Sequence, residues 1–169
     1  PRHRDPGRIA DEIADLNARY QTRHVDFIDD AFTWNRPWVL DLCEALRGRG
    51  LHERVQWLCQ TRVDRVDLEM LHIMRAAGCR RIEMGVAWPS VEGLHGPRVR
   101  VDEEQVVRAF GMARQAGLPS LAVAMVNAPG ETLADIERTR KLLDRAAPDF
   151  LELNYCTPFL HCAQRQPCE

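Results

Sequence analysis

The sequence of 169 residues has no apolar run near the roughly 20 residues that a membrane-spanning helix needs. No signal peptide opens it, and its first residue is Pro1 instead of methionine, which favours a segment of a longer protein. Lys141 is the only lysine among 23 basic residues. Acids and bases are mixed throughout, with a net charge of -2. We therefore expect neither a membrane protein nor a basic, nucleic-acid-binding surface.

The six cysteines lack the C-x₂₋₄-C pair that is typical of zinc sites. Three of them fall at predicted core positions, which indicates buried, reduced thiols. The other three lie near the C-terminus and are spaced by six residues. A reducing, cytoplasmic setting is the expectation for such a sequence. The core group is Cys43, Cys59 and Cys79, and the C-terminal group is Cys156, Cys162 and Cys168.

Helical and strand patterns alternate along the chain, and the second to fifth helices each end at a glycine or proline signal. The strands are expected at Val25–Ile28, Val55–Thr61, Arg81–Val86, Leu121–Val126 and Phe150–Asn154. The helices are expected to follow Asp5, to run from Asn35 to Gly48 or Gly50, and to span about Val66–Ala77, Asp102–Ala116 and Leu133–Ala146.

The strand starts recur at roughly 30 residues, which is the length of one βαβ unit. Such alternation predicts an α/β fold with a parallel sheet, either open or a partial barrel, with about five βα units. We expect one domain over residues 1–158 and an irregular tail over residues 159–169. The chain opens on a helix, so a strand that precedes it is expected to be missing, which would leave Val25–Ile28 as an exposed edge of the sheet.

The segment VDFIDDAFTWN, residues 25–35, is the central feature of the sequence. It is expected to form a short buried strand that ends at Asp29 and Asp30. Ligands of parallel α/β sheets bind at the carboxyl ends of strands, and two adjacent carboxylates favour a bound cation or ammonium group. The alternative is that one aspartate caps the next helix while the other is solvated.

Several blocks in order resemble the radical S-adenosylmethionine (radical SAM) enzymes, and most closely the branch that often carries an N-terminal cobalamin-binding domain. The blocks are RDPGRIADEI, VDFIDDAFTWN, WLCQTRVDRVD, LHIMRAAGCRRIEMGV, APGET and NYCTP, and together they cover about residues 2–158. The resemblance implies a partial (βα)₆ barrel of TIM-like type. It also implies a [4Fe–4S] cluster, held by C-x₃-C-x₂-C, whose open iron chelates S-adenosylmethionine for radical-based modification of a substrate.

The resemblance also implies site residues. Asp29 and Asp30 are expected to contact the amino group of S-adenosylmethionine, and Arg62, beside Thr61, its carboxylate. The strand exit at Asn127 and Gly130 is expected to approach the adenine by its backbone. Two alternatives remain open: Arg62 pairs with Asp64, and the turn is explained by Gly130 with Thr132 as a helix cap.

Three departures from the family pattern stand out. No C-x₃-C-x₂-C is present, which is simplest to explain if the cluster motif lies upstream of Pro1. The family's Gly-x-Glu-Ser is replaced by a run that contains Ala87, Trp88 and Ser90, and Pro-Gly-Thr by Leu160-His161-Cys162. The two replacements indicate either a degenerate copy or reading-frame slips.

Three hypotheses follow from these observations. The first is a fragment of a radical SAM enzyme, inactive and marginally stable by itself, whose partners are the missing N-terminal part, a cobalamin domain and an unknown substrate. The second is a degenerate, non-catalytic α/β scaffold. The third is a divalent-metal enzyme that uses Asp29, Asp30 and either His95 or His161. Other histidines, such as His24, His52 and His72, are expected to have no role.

Overall fold

A computed structural model of the protein describes residues 3–86, 102–128 and 131–157. Within these ranges the chain alternates five helices with five strands. The helices are α1 Pro6–Tyr20, α2 Arg36–Gly48, α3 Leu68–Ala76, α4 Glu103–Gln115 and α5 Leu133–Ala146. The strands are β1 His24–Phe27, β2 Gln56–Arg62, β3 Cys79–Val86, β4 Ser120–Val126 and β5 Phe150–Tyr155.

The five strands form one parallel sheet in the order β1-β2-β3-β4-β5. Consecutive helices pack side by side against one face of this sheet, so that the molecule is a half-barrel with an outer helical layer. The predicted parallel α/β fold and the partial barrel are confirmed. Strand β1 is at one edge of the described sheet and β5 is at the other, since each pairs with a single strand.

The two faces of the sheet have different environments. On the helix side, alternate strand residues such as Cys59, Ile82 and Met84 are fully buried. On the inner face, which no described helix covers, their neighbours Gln60 and Glu83 are exposed or half-buried. Parallel pairing in register sets these residues side by side across the strands. Within the sheet, polar side chains therefore lie on the inner face and at the strand ends.

The helix boundaries follow the predicted local signals. The Asp5 carboxylate accepts the Arg8 N–H at 2.9 Å, as expected of an N-cap that precedes proline. Helix α5 has the predicted bounds, and Thr132 and Asp135 form a reciprocal capping box at its start. The three predicted core cysteines are buried. None of the described helices is long and apolar enough to cross a membrane.

The prediction of a buried first strand is wrong in two respects. Strand β1 is shifted by one residue, and its side chains alternate between exposed and half-buried. Ile28, predicted to be part of the strand, follows it and is 88% exposed. The reason is that β1 is an edge strand of which only Val25 and Phe27 face the helices, while Phe27 packs against Trp57.

Candidate functional site

Asp29 and Asp30 lie directly after β1, at the carboxyl edge of the sheet. Both are exposed, and neither has a hydrogen bond or ion pair with any residue that the structure describes. The capping alternative is wrong, because α2 is capped by Asn35, whose side-chain oxygen accepts the Trp38 N–H at 3.4 Å. Two adjacent carboxylates without an internal cation are suited to an external ammonium group or cation.

Thr33 and Thr61 connect the loop after β1 to the end of β2. Each side chain is 2% exposed, and the two hydroxyl oxygens are hydrogen-bonded to each other. Thr61 is on the helix side of β2, beside the buried Met84 of β3. Its hydroxyl therefore holds the loop that carries Asp29 and Asp30, and does not face the inner surface where Arg62 lies.

Arg62 ends β2 on the inner face and pairs with Asp64. Its Nε donates to Oδ1 at 2.8 Å and its Nη2 to Oδ2 at 3.1 Å. This bidentate salt bridge raises the pKa of Arg62 and lowers the pKa of Asp64, chiefly through the hydrogen bonds between the two side chains. The alternative of an Arg62–Asp64 salt bridge is confirmed. Because Arg62 is still 37% exposed in its side chain, its outer face is accessible to a second anion.

A cation–π contact borders the same edge of the sheet. The Arg65 guanidinium lies over the Trp34 ring, 4.2 Å from its centroid, and Arg65 Nε is 3.7 Å from Asp64 Oδ2. The loop after β1 and the loop after β2 therefore contact each other twice, through the two threonines and through this pair. The sequence contained no signal for the Trp34–Arg65 pair, since it depends on two turns of 3₁₀ helix that bring distant residues together.

The exit of β4 is held by Glu131. Asn127 has a left-handed backbone with φ of 64°, and its N–H and that of Ala128 both donate to Glu131 Oε2. Oε1 of the same carboxylate is buried and has no partner among the described residues. Glu131 is part of the APGET block, but the sequence analysis gave it no role. It explained the turn by Gly130, which lies outside the described residues, together with Thr132 as a helix cap.

The sheet order decides which predicted residues meet. The ends of β1 and β2 are adjacent, so Asp29, Asp30 and Arg62 share one corner of the carboxyl edge. Asn127 follows β4, two strands further along the sheet. The segments with the Ala87–Ser90 and Leu160–Cys162 departures lie outside the described residues.

The residues present fit an ammonium-bearing cofactor better than a metal. Asp29 and Asp30 offer unpaired carboxylates, but over residues 3–86, 102–128 and 131–157 no group of three potential ligands could hold a metal ion. Burial raises the pKa of Cys43 to about 12 and that of Cys59 well above its usual value, as expected of thiols in an apolar core. His95 and His161 lie outside the described residues.

A family model described as "Radical SAM superfamily" matches residues 1–143. The chain belongs to the radical SAM superfamily. This superfamily of enzymes uses S-adenosylmethionine and a [4Fe–4S] cluster, as the sequence resemblance implied.

Two curated relatives are an uncharacterized methyltransferase of Pyrococcus horikoshii, 24% identical over 152 residues, and an anaerobic magnesium-protoporphyrin IX monomethyl ester cyclase of Cereibacter sphaeroides, 28% identical over 160 residues.

The alignments cover 90% and 94% of this chain but only 33% and 26% of those relatives. Among solved structures, the radical SAM methyltransferase TsrM from Kitasatospora setae, with cobalamin and a [4Fe–4S] cluster bound, has a TM-score of 0.79 at 20% identity. That match covers 90% of this chain and 31% of TsrM. The half-barrel is therefore the radical SAM fold, and this radical SAM chain spans about a third or less of its relatives.

Proposed function

We propose that this chain is part of a radical SAM enzyme in which the ends of β1, β2 and β4 cradle S-adenosylmethionine. The observation that carries the proposal is the pair Asp29 and Asp30, exposed and unpaired at the carboxyl edge of a radical SAM fold. The [4Fe–4S] cluster would be held by a C-x₃-C-x₂-C motif outside this segment. When bound, the two groups supply radical chemistry for the modification of a substrate that is not yet known.

Each predicted residue has a role that its environment supports. Asp29 and Asp30 accept hydrogen bonds from the ammonium group of the methionine moiety. Arg62 donates to the carboxylate of that moiety while Asp64 holds the guanidinium plane in position. Thr61 acts as a positioning residue, because its buried hydroxyl binds Thr33 in the loop that carries the aspartates.

The adenine is proposed to lie against the backbone at Asn127 and Gly130. Glu131 accepts the N–H groups of Asn127 and Ala128, and the Ala128 carbonyl accepts the Glu131 N–H at 2.9 Å, so that the carbonyl of Asn127 is the one proposed to face a ligand. The left-handed conformation of Asn127 turns the chain sharply at the end of β4. Such a turn brings backbone, instead of a side chain, to the edge of the sheet.

The partners of the chain are proposed from its relatives. TsrM contains cobalamin, and a separate cobalamin-binding domain of the same protein fits the short coverage of the relatives. The relatives named above are a methyltransferase and a porphyrin-ester cyclase, so that methyl transfer and ring closure are both candidate reactions. A small-molecule substrate and a cytoplasmic location remain predictions.

The test is calorimetric titration of the full-length, cluster-reconstituted protein with S-adenosylmethionine. We expect Asp29→Asn and Asp30→Asn together to weaken binding by roughly tenfold or more, because hydrogen bonds to charged groups contribute about 1.5–3 kcal/mol. Asp41→Asn is the matched control, since Asp41 is also exposed but lies on α2. Equal affinities of all three proteins would contradict the assigned site. Absence of binding by the unsubstituted protein would favour the degenerate scaffold.

A further inference from the structure

The opposite, amino edge of the sheet contains a cavity that the proposed cofactor site does not use. Its volume is about 430 Å³, within the range of pockets that bind small organic molecules. The strands β1, β2, β3 and β5 contribute His24, Leu58, Arg81 and Phe150 to its walls. Because these residues begin their strands or lie near the start, the cavity is at the mouth of the half-barrel distant from Asp29 and Asp30.

The apolar wall of the cavity comes from side chains on the inner face. Phe150 is 54% exposed although it is a large aromatic residue, and Leu58 is half-buried. Phe150 pairs in register with Leu121 of β4, so that the two apolar side chains lie side by side on the inner face. A flat apolar group bound there would remove this exposed area from water.

The polar wall is cationic, and one guanidinium in it is free. Arg81 donates to Glu83 at 2.6 and 3.1 Å, but Arg80 has no hydrogen bond or ion pair with any described residue. Arg80 also borders a second cavity of about 600 Å³, which shares His24 and Gln56 with the first. The residues that line the two cavities include four arginines but only two carboxylates. The arginines are Arg23, Arg54, Arg80 and Arg81, and the carboxylates are Glu53 and Asp149.

Neither of the two carboxylates pairs with Arg80. Asp149 accepts the N–H of Ser120 at 2.8 Å and its hydroxyl at 3.1 Å, and Glu53 has a side chain that is 79% exposed. Arg80 therefore has no counter-ion among the described residues, and it lines the same cavity as Leu58 and Phe150. A planar guanidinium beside an apolar wall is suited to a carboxylate on a flat organic molecule.

We propose that the amino-edge cavity binds the acidic end of a substrate with a flat apolar body, with Arg80 on the acid group and Phe150 and Leu58 on the body. This inference rests on the proposed function, because the reacting end of the substrate must reach the carboxyl edge. On β3, Arg81 pairs with Leu58 at the level of the cavity, and Gly85 pairs with Arg62 at the carboxyl edge. Four residues separate the two positions, which gives about 13 Å at 3.3 Å per residue. The substrate must therefore be about that long.

The experiment uses two fluorescent probes, 8-anilinonaphthalene-1-sulfonate and its uncharged analogue N-phenyl-1-naphthylamine, titrated into the purified full-length protein. We expect Arg80→Gln to weaken binding of the sulfonate about tenfold, as for a charge-assisted hydrogen bond, and to leave the amine unchanged. Phe150→Ala should weaken both probes severalfold. Arg138→Gln and Leu151→Ala are the controls: Arg138 is exposed on α5, and Leu151 is 48% exposed on the opposite face of β5.

Either of two results would overturn the proposal. One is an unchanged affinity of the sulfonate for the Arg80→Gln variant. The other is a loss of affinity on Leu151→Ala as large as that on Phe150→Ala, which would place the probes on the outer face of β5. Neither probe requires S-adenosylmethionine or the cluster, so failure here is distinct from failure of the cofactor titration, which does not depend on Arg80.

Discussion

The guanidinium of Arg62 and the carboxylate of Asp64 form a two-pronged pair at the end of β2, with donor–acceptor distances of 2.8 and 3.1 Å. The two residues are only two positions apart, so this contact depends on the 3₁₀ turn Val63–Arg65. The pair serves the stability of the edge and, by the proposed function, aligns Arg62 for a ligand. The two roles can be tested separately.

The first prediction concerns acid stability. The pKa of Asp64 is lower in the folded protein than its ordinary value of 3.8, so the pair stabilises the fold above that value and is lost as pH falls through the folded pKa. We expect Asp64→Asn to lower the free energy of unfolding at pH 7 by roughly 0.5–1 kcal/mol, since the pair is partly exposed. Urea unfolding at pH 7 and pH 2 checks this, and an equal loss at both pH values would contradict it.

The second prediction separates Arg62 from its neighbour Arg65. Arg62→Gln removes the inner-face guanidinium, and we expect it to weaken binding of S-adenosylmethionine to the full-length protein by about tenfold. Arg65→Gln is the control, because Arg65 interacts with the same Asp64 but stacks on Trp34. Titration calorimetry measures both. If the Arg65 variant lost as much affinity as the Arg62 variant, the assignment of Arg62 would be wrong.

The third prediction concerns the buried threonine pair. Thr61→Val leaves the Thr33 hydroxyl buried without its partner, so we expect a loss of about 1–3 kcal/mol in the free energy of unfolding. Replacing both residues by valine should cost less than the sum of the single changes, because no orphaned hydroxyl remains. A double-mutant cycle by denaturant unfolding measures this coupling, and strict additivity would mean that the hydroxyl contact contributes nothing.

The fourth prediction compares two glycines. Gly78 has φ of 99°, and a Cβ there would lie 2.9 Å from the Val55 carbonyl oxygen. Gly78→Ala should therefore destabilise the protein by at least about 1 kcal/mol. Gly111 is inside α4 with open space around it, so Gly111→Ala should stabilise by roughly 0.5–1 kcal/mol. Thermal unfolding of both variants is the measurement, and a loss at Gly111 would contradict the comparison.

The elements of the fold could be predicted because their signals are local. Proline or glycine follows the ends of α2 to α5, and Asp5, Asn35 and Thr132 cap α1, α2 and α5 through contacts three residues along the chain. Apolar periodicity then identified the core cysteines and the bounds of α5. The edge position of β1 was expected and is confirmed for the described sheet, and the error was to describe the same strand as buried and to include Ile28 in it.

The site was only partly predictable from the sequence. The order of blocks in the sequence by itself determined the family, the parallel half-barrel and the candidate pair Asp29 and Asp30. Only the tertiary structure decided that these two are unpaired, that Thr61 faces the core while Arg62 faces inward, and that Arg80 is free beside Phe150. Such facts depend on which residues meet across the sheet, and sequence spacing does not specify contacts between residues far apart in the chain.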